Sequence, residues 1–148
     1  MSEEIDDVND EVIKDFDILK PPSNYRIIGG EKVDLSFVPT GITFKVDKLI
    51  RVIRKENNKL NELKEKIEDL INENKSIEEI DNEIDEVNEK MFNYSIDLCV
   101  LFCSSDHPKL SKDWFLKKTD PIQIRAIVDE INNALSKSYE AVGKYGKN

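Results

Sequence analysis

Two ladders of apolar residues dominate this chain: Leu49, Ile53, Leu60, Leu63, Ile67 and Leu70, then Ile77, Ile80, Ile84, Val87, Met91, Tyr94, Leu98 and Leu101. Their steps alternate between threes and fours, the spacing that lines side chains along one stripe of an α-helix and forms a coiled-coil seam. The runs are nearly equal in length and meet around residues 72–76. They can therefore fold back on each other as an antiparallel helical hairpin without a second chain. Folded about residue 75, Leu49 meets Leu101, Leu60 meets Met91, Leu63 meets Val87 and Ile67 meets Ile84. The first run is broadly apolar at its start, through Ile50 and Val52, and narrow from Leu60; the second widens from Met91 to Phe102. Broad end meets broad end. Glu56 is the polar interruption, and the same pairing sets it opposite Tyr94, whose hydroxyl suits a carboxylate at the edge of a seam.

Elements flank the hairpin on both sides. Pro21-Pro22 cannot continue a helix and separates residues 1–22, an acidic tail and linker, from a single domain over 23–148. Within the tail, Ile5, Val8, Val12, Phe16 and Leu19 keep a faint helical period. Gly29-Gly30 between apolar runs signals a hairpin turn. Val33, Leu35 and Phe37 then alternate with polar residues, and Ile42, Phe44 and Val46 alternate again. This pattern predicts a three-stranded antiparallel meander over 25–46, with Asp47 capping the first long helix. The helical hairpin fills 47–104, with Ser76 and Glu79 as a capping box for its second helix. Ser111, flanked by Leu110 and Phe115, caps a short helix carrying Trp114. Asp120 and Pro121 then start a last helix, whose buried face is Ile124, Ile127, Ile131, Ala134, Leu135 and Tyr139 and which Gly143 stops. These C-terminal helices occupy 111–142. The fold class is α+β and mostly helical: a small N-terminal meander packed on a long hairpin arm and a C-terminal helix.

Charge and chemistry narrow the function. The net charge is −9, and residues 1–20 hold eight acids against Lys14 and Lys20. Nucleic-acid binding requires a basic cluster to neutralise phosphates, and the sequence offers none of that kind, so nucleic acid is excluded as a direct partner. No run reaches the ~18 consecutive apolar residues of a membrane span, and the N-terminus lacks a secretory pattern, which predicts a cytoplasmic protein without a membrane partner. Cys99, Cys103 and His107 fall on one helical face, but Pro108 follows at once and structural zinc takes four ligands with turn-like spacing; no metal and no cofactor are expected. Gly29-Gly30 lacks the Lys and Ser/Thr of a phosphate loop and leads into a strand. The lone His107 sits beside a proline turn, the serines have no histidine within a recognisable motif and glycine-rich nucleotide loops are absent, so the chain is read as non-catalytic. Trp114, Phe115 and Tyr139, together with Phe16 and Leu19 of the tail, are the candidate contact residues, because aromatic anchors dominate interface energetics.

Two stretches carry a family resemblance. Residues 26–37 (RIIGGEKVDLSF), followed by helix, and residues 108–116 (PKLSKDWFL) before Asp120-Pro121-Ile122-Gln123-Ile124 resemble the tail assembly chaperones of tailed bacteriophages that infect low-GC bacteria. The resemblance implies a largely helical, non-catalytic protein in the host cytoplasm that accompanies the tape-measure protein while the tail tube polymerises and is absent from the mature particle. The heptad arm departs from that pattern. It leaves as an alternative a structural subunit of a tail or tail-like particle that contacts neighbouring subunits, or a second copy of itself, through the arm.

Overall fold

A computed structural model describes residues 16–146, with side chains through Glu140. A single 3-10 turn, Phe16–Leu19, leads into strands β1 (Tyr25–Ile28) and β2 (Glu31–Asp34). Another 3-10 turn, Thr40–Ile42, enters helix α1 (Thr43–Asn72), and α2 (Glu78–Ser104), α3 (Lys112–Lys118) and α4 (Pro121–Gly146) follow. The class is α+β and mostly helical, as the sequence predicts. Of the expected tail period, Ile5, Val8 and Val12 lie outside the described residues.

The strands pair antiparallel, with Ile28 opposite Glu31 and Tyr25 opposite Asp34. Gly29 and Gly30 close the two-residue loop with φ of +53° and +84°, the pair of left-handed conformations that a tight hairpin turn of this hand requires. Asp34 fixes the far end: its Oδ1 accepts the backbone N–H groups of Asn24 and Ser36, both at 3.0 Å. Partial burial works to raise the Asp34 carboxyl, but these hydrogen bonds outweigh it and hold the group below the usual carboxylate range.

The sheet has two strands rather than three. Ile42, Phe44 and Val46 alternate, but Ile42, Val46, Ile50 and Ile53 also step at helical spacing, and the chain takes the second option, starting α1 at Thr43. A helix satisfies its own backbone, whereas a third strand would need an edge to pair with. Phe44, which the strand pattern buries, consequently points outward and is 89% exposed. Asp47 sits inside the helix and pairs with Arg51 at 3.0 Å instead of capping it.

The two long helices pack together as the expected hairpin. Leu60, Leu63 and Val87 make a small buried cluster with Ile80, Ile84 and Met91, apart from the main core. The tip closes through a Schellman motif: Asn74 is left-handed (φ 56°), its N–H reaches Ile71 C=O, and Lys75 N–H reaches Leu70 C=O at 2.9 Å. The Ser76 hydroxyl accepts from Glu78 N–H at 3.4 Å, two residues on, rather than from the third-residue N–H of a capping box. Glu56 is not compensated as expected. Its Oε2 is buried without a hydrogen-bond partner, so Tyr94 does not satisfy it.

The main core joins the strand unit and all four helices. Ile28, Val33 and Leu35 from the strand unit, Val46 and Ile50 from α1, Ile96 to Cys103 from α2, Leu110 and Phe115, and Ile124 to Leu135 from α4 form one cluster. Ser111 caps α3 as predicted, its Oγ accepting from Trp114 N–H at 3.2 Å, with Leu110 and Phe115 buried on either side. Asp120 caps α4 reciprocally: Gln123 N–H donates to Asp120 Oδ1 and Asp120 N–H donates to Gln123 Oε1, both at 2.9 Å. Gly143 does not stop α4, which continues to Gly146. A helix interior tolerates one glycine at a cost of about 1 kcal/mol.

The β-turn is pressed against α3. A Cβ on Gly29 would lie 2.8 Å from Cζ2 of Trp114, whereas one on Gly30 would meet nothing within 4 Å. Gly29→Ala therefore combines backbone strain with a ring clash and is expected to cost about 2–3 kcal/mol, against about 1 kcal/mol for Gly30→Ala. Denaturant midpoints of the two variants check this, and equal losses would contradict the contact. Replacing the unsatisfied carboxylate, Glu56→Leu, is expected to raise stability by about 1–2 kcal/mol. An unchanged or lower midpoint would show that the seam gains from the charge.

Candidate protein-binding cleft

The hairpin is wide at its base because α2 changes character along its length. From Ile96 to Cys103 it is buried on most sides, so it needs neighbours beyond α1. α4 supplies one, packing mainly on α2 and only sparsely on α1. Between α1 and α4 the helices part, leaving an open cleft of about 850 Å³ walled by all three long helices. Its apolar lining comes from Ile50, Ile53 and Leu60 of α1, Met91 and Phe92 of α2, and Ile124 and Val128 of α4. Polar groups rim it: Arg54, Asn57, Asn61 and Lys64 on α1, Asn88 and Ser95 on α2, and Arg125, Asp129 and Asn132 on α4.

The electrostatics of this cleft invert those of the chain. Three cations face one carboxylate there, in a protein whose net charge is −9. Among the described residues the ion pairs engage other groups, such as Arg26 with Glu130 at 3.6 Å and Lys112 with Asp97 at 3.7 Å. Arg54, Lys64 and Arg125 take part in none of them. An apolar floor with unpaired cations and side-chain amides at its edges suits an amphipathic segment carrying carboxylates.

The predicted contact residues lie elsewhere. Phe115 is only 1% exposed; it anchors the short helix in the core and offers no contact area, which corrects its assignment to a binding surface. Trp114 is half-buried, packed edge-on to Phe115 at a centroid distance of 5.0 Å and laid against Gly29. Tyr139 leaves the buried face expected for it and is 53% exposed. Partial desolvation and the neighbouring Asp47 carboxylate raise its phenol above the ordinary value, and Arg51 opposes them. Phe16 and Leu19, exposed in the first 3-10 turn, do present apolar surface. None of the five lines the cleft, and Trp114 and Phe115 pack on each other. The seam pattern hid the cleft residues because Arg54, Asn57 and Arg125 flank apolar stripes and read as ordinary solvated positions. Ile50 and Phe92, apolar but off the seam, were the available signal.

The thiols are core side chains. Cys99 and Cys103 are free and buried, and Cys99 Sγ lies 4.0 Å from Ile124 C=O across the α2–α4 contact. α2 ends at Ser104 as predicted, and His107 folds its N–H back onto Cys103 C=O at 3.0 Å. The described residues contain no group of three or more His, Cys, Asp or Glu able to hold a metal ion. No helix among them is long and apolar enough to cross a membrane.

No protein family matches the chain, and no curated protein or solved structure is significantly similar to it.

Burial pushes the Cys103 thiol up to about 12, and burial together with the Cys103 charge pushes Cys99 higher still. At pH 8 the thiolate fraction of Cys103 is then about 10⁻⁴. A thiol-reactive disulfide reagent is expected to titrate neither cysteine in the native protein at pH 8 and both in denaturant. Rapid native labelling would show that the base of the hairpin opens.

Proposed function

We propose that this chain is a non-catalytic assembly protein that holds an amphipathic, acidic segment of a client protein in the cleft between α1, α2 and α4. The carrying observation is the cleft itself, whose apolar floor and three unpaired cations stand out on an acidic molecule. Among the described residues, burial accounts for the two cysteines and hydrogen bonding for the capping residues Ser111 and Asp120.

The resemblance to phage tail assembly chaperones supplies a candidate client, the tape-measure protein, and a setting, the host cytoplasm. Support comes from the placement of the two resembling stretches, which form one packed unit. Gly29 lies against Trp114, Lys109 Nζ is 2.6 Å from Glu31 Oε1, and β1 borders Gln123 of α4. A second reading, a permanent tail subunit that reaches neighbours through its arm, is favoured by the separate apolar cluster that stiffens the outer hairpin.

Co-expression with tape-measure fragments separates the two. The chaperone reading expects a discrete soluble complex, no copies of this chain in purified particles, and a loss of client affinity of about tenfold or more in Arg54→Glu/Arg125→Glu, equivalent to ~1.4 kcal/mol. Recovery of the chain from purified particles would favour the subunit reading. Client binding indifferent to the charge reversal would remove the cleft from either account.

A further inference from the structure

The molecule carries its own acidic, apolar segment. Residues 1–15, which lie outside the described structure, hold seven carboxylates (Glu3, Glu4, Asp6, Asp7, Asp10, Glu11 and Asp15) against Lys14, with Ile5, Val8 and Val12 at helical spacing. The cleft is the complementary surface: Arg54, Lys64 and Arg125 unpaired at its rim, Phe92 and Val128 in its floor, and Asp129 as its one carboxylate. We propose that residues 1–15 occupy this cleft in the free protein and compete with the client for it. This rests on the cleft being the client site.

Reach and direction permit it. The strand unit lies on the face of α4 that presents Gln123, Ala126, Ile127 and Glu130, and the cleft uses the opposite face with Arg125, Val128 and Asp129. The strand unit is tied to α4 through Asn24 and Arg26 at Glu130, so a segment running from that side to the cleft passes around α4, about 10–12 Å across with its side chains. Fifteen residues span up to about 50 Å when extended, so most of the segment remains available for docking after the crossing. Pro21 and Pro22 stiffen the chain behind it, and Lys20 is held with its ammonium 4.5 Å from the Phe37 ring centroid, which fixes the root of the segment on the body.

Docking within one molecule makes the local concentration of the segment high, so modest contacts suffice. A segment docked about nine-tenths of the time lowers apparent client affinity about tenfold. Neutralising it restores that factor. Because the attraction is between partly exposed charges, salt weakens it.

The two native thiols are buried, so a nitroxide placed on Ser2→Cys labels the full-length chain selectively. At low salt the amide signals of Arg54, Asn57 and Arg125 are expected to lose most of their intensity. They should recover in Glu3→Gln/Glu4→Gln/Asp6→Asn/Asp7→Asn, and that variant should bind a tape-measure fragment about tenfold more tightly. Absence of broadening in the cleft overturns the proposal. So does broadening that, in a mixture of labelled and unlabelled chains, appears on the unlabelled copy, since a second copy would then be the occupant. Broadening that persists while no fragment binds supports the docked segment and removes only the client. Fragment binding in the cleft unaffected by neutralising the segment removes the docked segment and leaves the client reading intact.

Discussion

Everything in this fold leans on the second half of α2. From Ile96 to Cys103 its side chains are apolar on nearly every face, and Ile96, Leu98, Cys99, Phe102 and Cys103 are all buried. A helix of that character must be covered from several directions at once. α1 covers one side, α4 another, and α3 with the β-turn closes the end. Earlier along α2 the apolar surface narrows to a single stripe, and one partner suffices. Arm and base are therefore two consequences of one gradient along one helix. The cleft lies at their junction, where α4 has parted from α1 and the hairpin continues alone.

The small sheet depends on the same base. Two strands of four residues bury too little to stand alone in water. Here Ile28, Val33 and Leu35 enter the main core, Trp114 rests on the turn, and Glu130 takes Asn24 Nδ2 at 2.8 Å and pairs with Arg26. The ion pair is largely solvent-facing and contributes little on its own. Its value is positional, because it holds the strand unit on one face of α4 and keeps the opposite flank, with Arg125 and Asp129, clear.

Legibility in the sequence followed locality. Caps at Ser111 and Asp120 were readable because the donor and acceptor lie three residues apart, and the hairpin was readable because its two seams are self-complementary. The start of α1 was not, since residues 42–46 fit a period of two and a period of 3.6 equally well; the choice is made beyond that window, where Val46 and Ile50 enter the main core from one continuous helix. Tyr139 fell on the extrapolated stripe of α4, but the core ends near Leu135 and the helix runs past it. The cleft was the least legible feature. Its walls come from three helices, its cations sit beside rather than on the apolar stripes, and the angle at which α4 leaves α1 is a tertiary property that no single window of sequence encodes.

Geometry also restricts what the cleft can accept. α1 extends thirteen residues from Leu60 to Asn72, about 20 Å at 1.5 Å per residue, beyond the level where α4 begins to shelter it. A segment entering between α1 and α4 as a helix would lie alongside both and continue outward against the arm, turning a two-helix contact into a bundle. It would cover Ile53, Phe92 and Val128 together, which no helix of the described chain does. Such an occupant must be apolar along one stripe and acidic at its margins, because Arg54, Lys64 and Arg125 border the floor on the α1 and α4 walls. A uniformly apolar helix would strand those cations, and a basic one would be repelled. For a partner held in the cleft, the arm would set the length of the contact and the three cations its sign.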